Sequence, residues 1–228
     1  LLPGVDSILG VRLPLLRKLA GRILKSDWEG FLRETKGEYF EETMLKGFVL
    51  AQCPISPEER ILRLKEFLPE IQNWSVCDSV CASVKEASRY PDTYLPFLRE
   101  CLSSGEEFTL RFGLIMLMDH FLTPEFLPFI LEAAASVRHP GYYAKMAAAW
   151  VLATCCGKNP QQTLAYFRNT PMDEDILRKA IQKSLESYRV SPEIKESLRG
   201  LRASLPSLQT NKAPRKSLWE VQFPFRIP

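Results

Sequence analysis

One aspartate, one arginine and two tryptophans hold the chemistry of this chain. Trp74 and Asp78 lie in Asn73-Trp74-Ser75-Val76-Cys77-Asp78, Arg111 in Phe108-Thr109-Leu110-Arg111-Phe112, and Trp150 directly after Ala147-Ala148-Ala149. A carboxylate stabilises developing positive charge, a guanidinium grips a carboxylate or phosphate through a planar fork, and an indole face attracts a cation. Together these groups suit a positively charged moiety held against a phosphate-bearing partner.

The elements that must position them are helices. Asn73 is a residue type that caps helix N-termini, which places Trp74 in a first turn. Asp78 follows four residues later, on the same face. Val76, Val80 and Val84 make a separate stripe for a core. The same pattern also fits a packed tryptophan beside a solvated aspartate. Arg111 is surrounded by Phe108, Leu110, Phe112, Leu114 and Ile115, so its charge demands a partner or a polar cleft. Asp78, one repeat earlier, or an external phosphate is the expected partner; the plainer alternative is a purely structural Arg–Asp tie between repeats. Trp150 either plugs a core or lines a concave face.

Other chemistries find little support. No glycine-rich phosphate loop is present, and no Ser or Cys has a histidine at a spacing suited to nucleophilic catalysis. The six cysteines (Cys53, Cys77, Cys81, Cys101, Cys155 and Cys156) are expected as buried reduced thiols. No metal site is expected, because His120 and His139 lie far along the chain from the Cys77–Cys81 pair. No apolar run approaches the roughly 20 residues of a membrane span. The chain opens at Leu1 without methionine and is read as a fragment. The net charge of +3 is uneven: residues 1–144 carry 16 Lys/Arg against 20 Asp/Glu, and residues 145–228 carry 14 against 7. The basic second part is compatible with a polyanionic partner.

Apolar residues recur at helical spacing in Leu15, Leu16, Leu19 and Ile23, in Ile61, Leu64, Phe67 and Leu68, and in Leu110, Leu114, Leu117, Met118 and Phe121. Turn residues at Pro54–Pro57, Tyr90-Pro91-Asp92, Ser103-Ser104-Gly105, His139-Pro140-Gly141, Lys158-Asn159-Pro160 and Ser191-Pro192 separate helices of three to four turns. The basic residues Arg111, Lys145 and Arg178, each leading an apolar helix, are 34 and 33 residues apart. This spacing predicts stacked helical hairpins, an all-α superhelical solenoid, against the plainer alternative of an irregular bundle. The repeat domain is expected over residues 1–205. Residues 206–228, with Lys212, Arg215, Lys216 and the proline-broken Trp219 to Pro228, are expected as an extended or disordered tail.

From about Leu9 to Leu201 the chain resembles the bacterial DNA alkylation repair glycosylases built of HEAT-like repeats, the AlkD-like family. The resemblance is carried by Gly10-Val11-Arg12-Leu13-Pro14-Leu15-Leu16-Arg17-Lys18-Leu19, Tyr39-Phe40-Glu41-Glu42, the Asn73–Asp78 and Phe108–Gly113 segments, Tyr142 through Trp150, and Lys179 through Arg189. It implies a monofunctional glycosylase that releases cationic lesions such as 3-methyladenine and 7-methylguanine from duplex DNA, with Trp74, Asp78, Arg111 and Trp150 around the damaged nucleotide. It also implies no cofactor, and the family's first helix is expected to be missing here. Within that reading Asp78 stabilises charge on the deoxyribose and orients water, the indoles add cation–π stabilisation, and Arg111 clamps a phosphate. Lys145, Arg178, Lys179, Lys183 and Arg189, drawn from the basic part, are expected to contact phosphates alongside Arg111. A cytoplasmic, nucleoid-associated monomer is expected. Two other readings stay open: a non-catalytic module that binds damaged or branched DNA, and a protein-interaction scaffold.

Overall fold

Proline and short polar residues cut the chain into helices. The computed structural model describes residue 5 and residues 7–205. Among the described residues there are twelve α-helices, two 3-10 turns and no strand. The α-helices are α1 (Leu13–Ile23), α2 (Trp28–Glu34), α3 (Phe40–Leu50), α4 (Pro57–Phe67), α5 (Trp74–Cys81), α6 (Pro91–Leu102), α7 (Glu107–His120), α8 (Leu127–Ala135), α9 (Tyr142–Lys158), α10 (Pro160–Asn169), α11 (Glu174–Glu186) and α12 (Pro192–Ser204). Proline sits in the first turn of α1, α4, α6, α8, α10 and α12, where its missing N–H leaves no bond unmade. Side-chain caps start others: Asn73 Oδ1 accepts from Val76 N at 3.0 Å in α5, and Asp173 Oδ1 accepts from Ile176 N at 3.1 Å in α11. The expected tail, residues 206–228, lies outside the described residues.

The helices pack in a fixed succession. α1, α3, α5, α7, α9 and α11 each contact the next in that order, while α6 packs on α7, α8 on α9 and α10 on α9. Several contacts between these helices span 32 to 36 residues. Asp78 and Arg111 are 33 residues apart, Arg111 and Tyr143 are 32, Met118 and Thr154 are 36, and Glu132 and Tyr166 are 34. The basic leaders Arg111, Lys145 and Arg178 accordingly fall on α7, α9 and α11.

The middle of the succession is the most enclosed. Every residue of α7 from Leu110 to Met118 is buried, as a helix covered on several sides requires. Val76 and Val80 of α5 and Val84 just beyond its end are fully buried, the core stripe expected there. At Gly47, α3 approaches its neighbours so closely that a methyl group would lie 2.3 Å from Val80 Cγ2, so only glycine fits. All six cysteines are free and buried. A buried arginine that sequence reading did not single out, Arg60, is held by the Leu50 and Cys53 carbonyls and by Glu86 at 2.7 Å. Tyr94 donates its hydroxyl to the same Glu86 carboxylate, so the network braces α4 against α6.

One apolar stripe differs from expectation. Leu16 and Ala20 of α1 face the core, but Leu15 and Leu19 are 58% and 42% exposed. α1 stands first in the succession and packs chiefly on α3, so only one face of it is covered. No described helix is long and apolar enough to cross a membrane.

Candidate functional site

α5 and α7 bring Asp78 and Arg111 together. Arg111 Nε donates to Asp78 Oδ1 at 2.8 Å and Nη2 donates to Oδ2 at 2.7 Å, a bidentate pair. Nη1 donates to the Tyr143 carbonyl at the start of α9, at 2.9 Å. One guanidinium thus joins three successive helices. It is only 5% exposed, whereas the Asp78 side chain is 16% exposed. Of the two partners foreseen for Arg111, the aspartate is the one it meets. Three of its five N–H bonds are engaged, and both Asp78 oxygens keep a lone pair for a further donor.

The electrostatics of the pair follow from its burial. Desolvation lifts the Asp78 carboxyl above the usual aspartate range, and the hydrogen bonds and charge of Arg111 oppose that lift. Burial by itself would lower the Arg111 pKa, but Asp78 more than reverses it and holds the guanidinium protonated. The pair is therefore an ion pair with one edge toward solvent.

The N-terminus of α9 is fastened to the same helix. Glu107, one turn before Arg111 on α7, accepts from Tyr143 N at 2.6 Å and Ala144 N at 3.1 Å. A carboxylate at a helix N-terminus satisfies orphan donors and meets the positive end of the helix dipole. The N-cap residue is Gly141, and a methyl group there would lie 2.3 Å from Glu107 Oε1. Glu107 and Arg111 together therefore fix where the Tyr143 carbonyl sits, and through it the third bond of Arg111.

Trp74 opens α5, one turn before Asp78, and is half-buried. Trp150 is half-buried on α9, packed against the core, and its carbonyl accepts from Thr154 Oγ1 at 2.9 Å. The expected phosphate contacts divide. Lys145 pairs with Asp173 at 2.8 Å, Arg178 with Glu174 at 2.6 Å, and Lys179 with Asp175. Lys183 is half-buried on α11; desolvation lowers its pKa, and the charge of Arg111 adds to that. Arg189 is exposed, with its guanidinium 5.8 Å from the Tyr188 ring centroid.

Sequence reading missed Glu107, Tyr143 and Asp119. Asp119 lies two turns beyond Arg111 on α7 and is exposed. Desolvation, followed by the charge of Asp78, pushes its carboxyl up to about 7, against the opposing charge of Lys158. Its neighbour His120 anchors that end of α7 through Nε2 to the Cys81 carbonyl at 2.7 Å. No group of three or more His, Cys, Asp or Glu side chains is placed to hold a metal ion among the described residues.

Among the described residues the fold is all-helical, and a buried carboxylate–guanidinium pair joins α5, α7 and α9. The DNA alkylation repair enzyme family matches residues 3–184, some four-fifths of the 228 residues, and the chain belongs to that family. The match contains Trp74, Asp78, Arg111 and Trp150, and it ends before Arg189. The search of curated proteins finds no match.

Proposed function

We propose that this chain is a monofunctional DNA glycosylase acting on cationic N-alkylated purines, such as 3-methyladenine and 7-methylguanine, in duplex DNA. The observation that carries the reading is the partly open Asp78 carboxylate, locked in orientation by Arg111, in a chain of the DNA alkylation repair enzyme family. The order of helix contacts and their spacing near 33 residues support a superhelical solenoid of HEAT-like repeats over residues 1–205 as the scaffold.

The chemistry asks little of the protein. An N-alkylated purine already carries positive charge, so it leaves without a general acid. Positive charge then grows on the deoxyribose. Asp78 stabilises it and orients water through the lone pairs that Arg111 does not use. Arg111 acts first as the anchor of Asp78; its two remaining N–H bonds are what a phosphate would take. Trp74 and Trp150 supply π-faces for the cationic base and sugar. Lys183 and Arg189, with Lys145, Arg178 and Lys179 beside them, supply positive charge along the DNA backbone. The protein works as a monomer, without a cofactor, in the cytoplasm at the nucleoid.

The second reading, a DNA-binding module without excision, is favoured by the engagement of both Asp78 oxygens within the protein. Incubation of the chain with methylated duplex DNA separates the two. Release of free 3-methyladenine or 7-methylguanine supports the glycosylase, and binding without release supports the module.

A further inference from the structure

α9 takes its N-terminal cap from another helix. The side-chain caps of α2, α4, α5, α11 and α12 come from the residue just before each helix: Asp27, Ser56, Asn73, Asp173 and Ser191. α9 follows Gly141, which has no side chain to offer. Its Tyr143 and Ala144 amides instead donate to Oε1 of Glu107 on α7, at 2.6 and 3.1 Å, across 36 and 37 residues of sequence. A local cap fixes where a helix starts. A cap supplied by a second helix also fixes where the one stands against the other.

Glu107 and Arg111 are four residues apart on α7, so their side chains leave the same face one turn apart. Both reach Tyr143. Glu107 accepts from its N–H, and Arg111 Nη1 donates to its carbonyl at 2.9 Å. α9 cannot slide along α7 without breaking both bonds. The two bonds between Arg111 and Asp78 fix guanidinium and carboxylate relative to each other. The Tyr143 carbonyl, a third partner of the planar guanidinium, ties that pair to the backbone of α9. The same helix carries Trp150, two turns after Tyr143.

We propose that Glu107 is a positioning residue for base release. By holding the start of α9 it keeps the Asp78–Arg111 pair and the helix of Trp150 in the relative placement the reaction needs. This rests on the glycosylase reading above. Glu107 acts through Tyr143 and Arg111, not by contact with the base. A reacting group misplaced by about 1 Å costs on the order of 100-fold in rate, so a cap remote from the chemistry sets how fast it runs.

The test measures single-turnover release of 7-methylguanine from methylated duplex DNA, with DNA affinity and helicity recorded for each protein. Glu107→Ala removes the shared acceptor and should slow release by roughly 10- to 100-fold while DNA affinity stays near that of the wild type. Glu107→Gln keeps a carbonyl oxygen that can take both amides, as Oε1 does now, and should release near the wild-type rate. Gly141→Ala displaces the same carboxylate and should also slow release, which keeps the test open if Glu107→Ala does not fold. Ser56→Ala removes the cap of α4, a comparable loss away from the pair, and should leave the rate unchanged. Wild-type rates in Glu107→Ala and Gly141→Ala overturn the positioning role and leave the glycosylase reading standing. So does an equal slowing in Ser56→Ala, or a Glu107→Gln as slow as Glu107→Ala. A wild type that releases nothing overturns the glycosylase reading, and the positioning role with it.

Discussion

Arg111 meets both carboxylate oxygens of Asp78, at 2.8 and 2.7 Å, across a sequence separation of 33 residues. The same guanidinium reaches forward 32 residues to the Tyr143 carbonyl. One buried cation thus sets the orientation of the Asp78 carboxylate, one turn after Trp74 on α5, and it ties α5, α7 and α9 together. Structure and chemistry share the contact, so the tests below separate stability from activity.

Removing Arg111 leaves a buried carboxylate without its counter-charge. Arg111→Ala is expected to cost about 3–5 kcal/mol of stability, the range for breaking a buried pair from one side. Arg111→Lys recovers part of this but cannot form the fork. Urea unfolding checks both; a loss below about 1 kcal/mol for Arg111→Ala would mean that the pair is not shielded from water as described.

Gly141→Ala places a methyl group against the Glu107 carboxylate. The carboxylate must move, and the Tyr143 and Ala144 amides lose their acceptor. The expected cost is about 1 kcal/mol, typical of losing a helix cap. In Glu107→Ala the clash with the carboxylate is gone and only His139 Nδ1, 2.8 Å from the added methyl, still crowds it, so Gly141→Ala should cost clearly less than in the wild type. Additive losses in the double variant, measured by thermal unfolding, would contradict the contact.

Asp119 gives stability a definite pH dependence. Its carboxyl titrates at about 7 in the folded chain and near 4 in the unfolded chain. Between those values the folded state holds the extra proton, so stability falls as pH rises from about 4 to 7 and this contribution is flat outside that window. Asp119→Asn should remove the decline, so thermal midpoints of variant and wild type diverge in the variant's favour from pH 5 to pH 7. Parallel midpoints across that range would place the Asp119 carboxyl in ordinary water.

DNA affinity should fall steeply with salt, with log K dropping by about 0.9 per neutralised phosphate for each decade of salt concentration. Replacing Arg189 by Gln should lower that slope by about one unit. A salt-independent affinity would count against a phosphate-lined groove.

Much of this was legible in the sequence, for identifiable reasons. The α5 start was readable because Asn73 caps it and Val76, Val80 and Val84 mark its buried face. The all-helical content was readable because apolar residues recur at helical spacing, and Arg111, Lys145 and Arg178, 34 and 33 residues apart, fall on α7, α9 and α11. The buried setting of Arg111 was readable from its apolar neighbours, and the demand for a partner followed from the cost of burying charge. Glu107 was not readable: its role depends on the height of α9 beside α7, which no local spacing encodes. Nor was Asp119, whose perturbation comes first from desolvation and then from the charge of Asp78 on another helix. The Leu15 and Leu19 stripe predicted helix correctly but not burial, because α1 has a covering neighbour on one side only.

The most direct test of the central claim compares the wild type with Asp78→Asn for release of methylated purines from methylated duplex DNA, with DNA affinity and helicity measured alongside. Asparagine keeps the shape and can accept one of the two Arg111 bonds, its amide NH2 facing the other donor, but it carries no charge to stabilise the sugar. The account predicts release by the wild type, at least a 100-fold slower rate for Asp78→Asn, and similar affinity for both folded proteins. Equal release by the two proteins would contradict it.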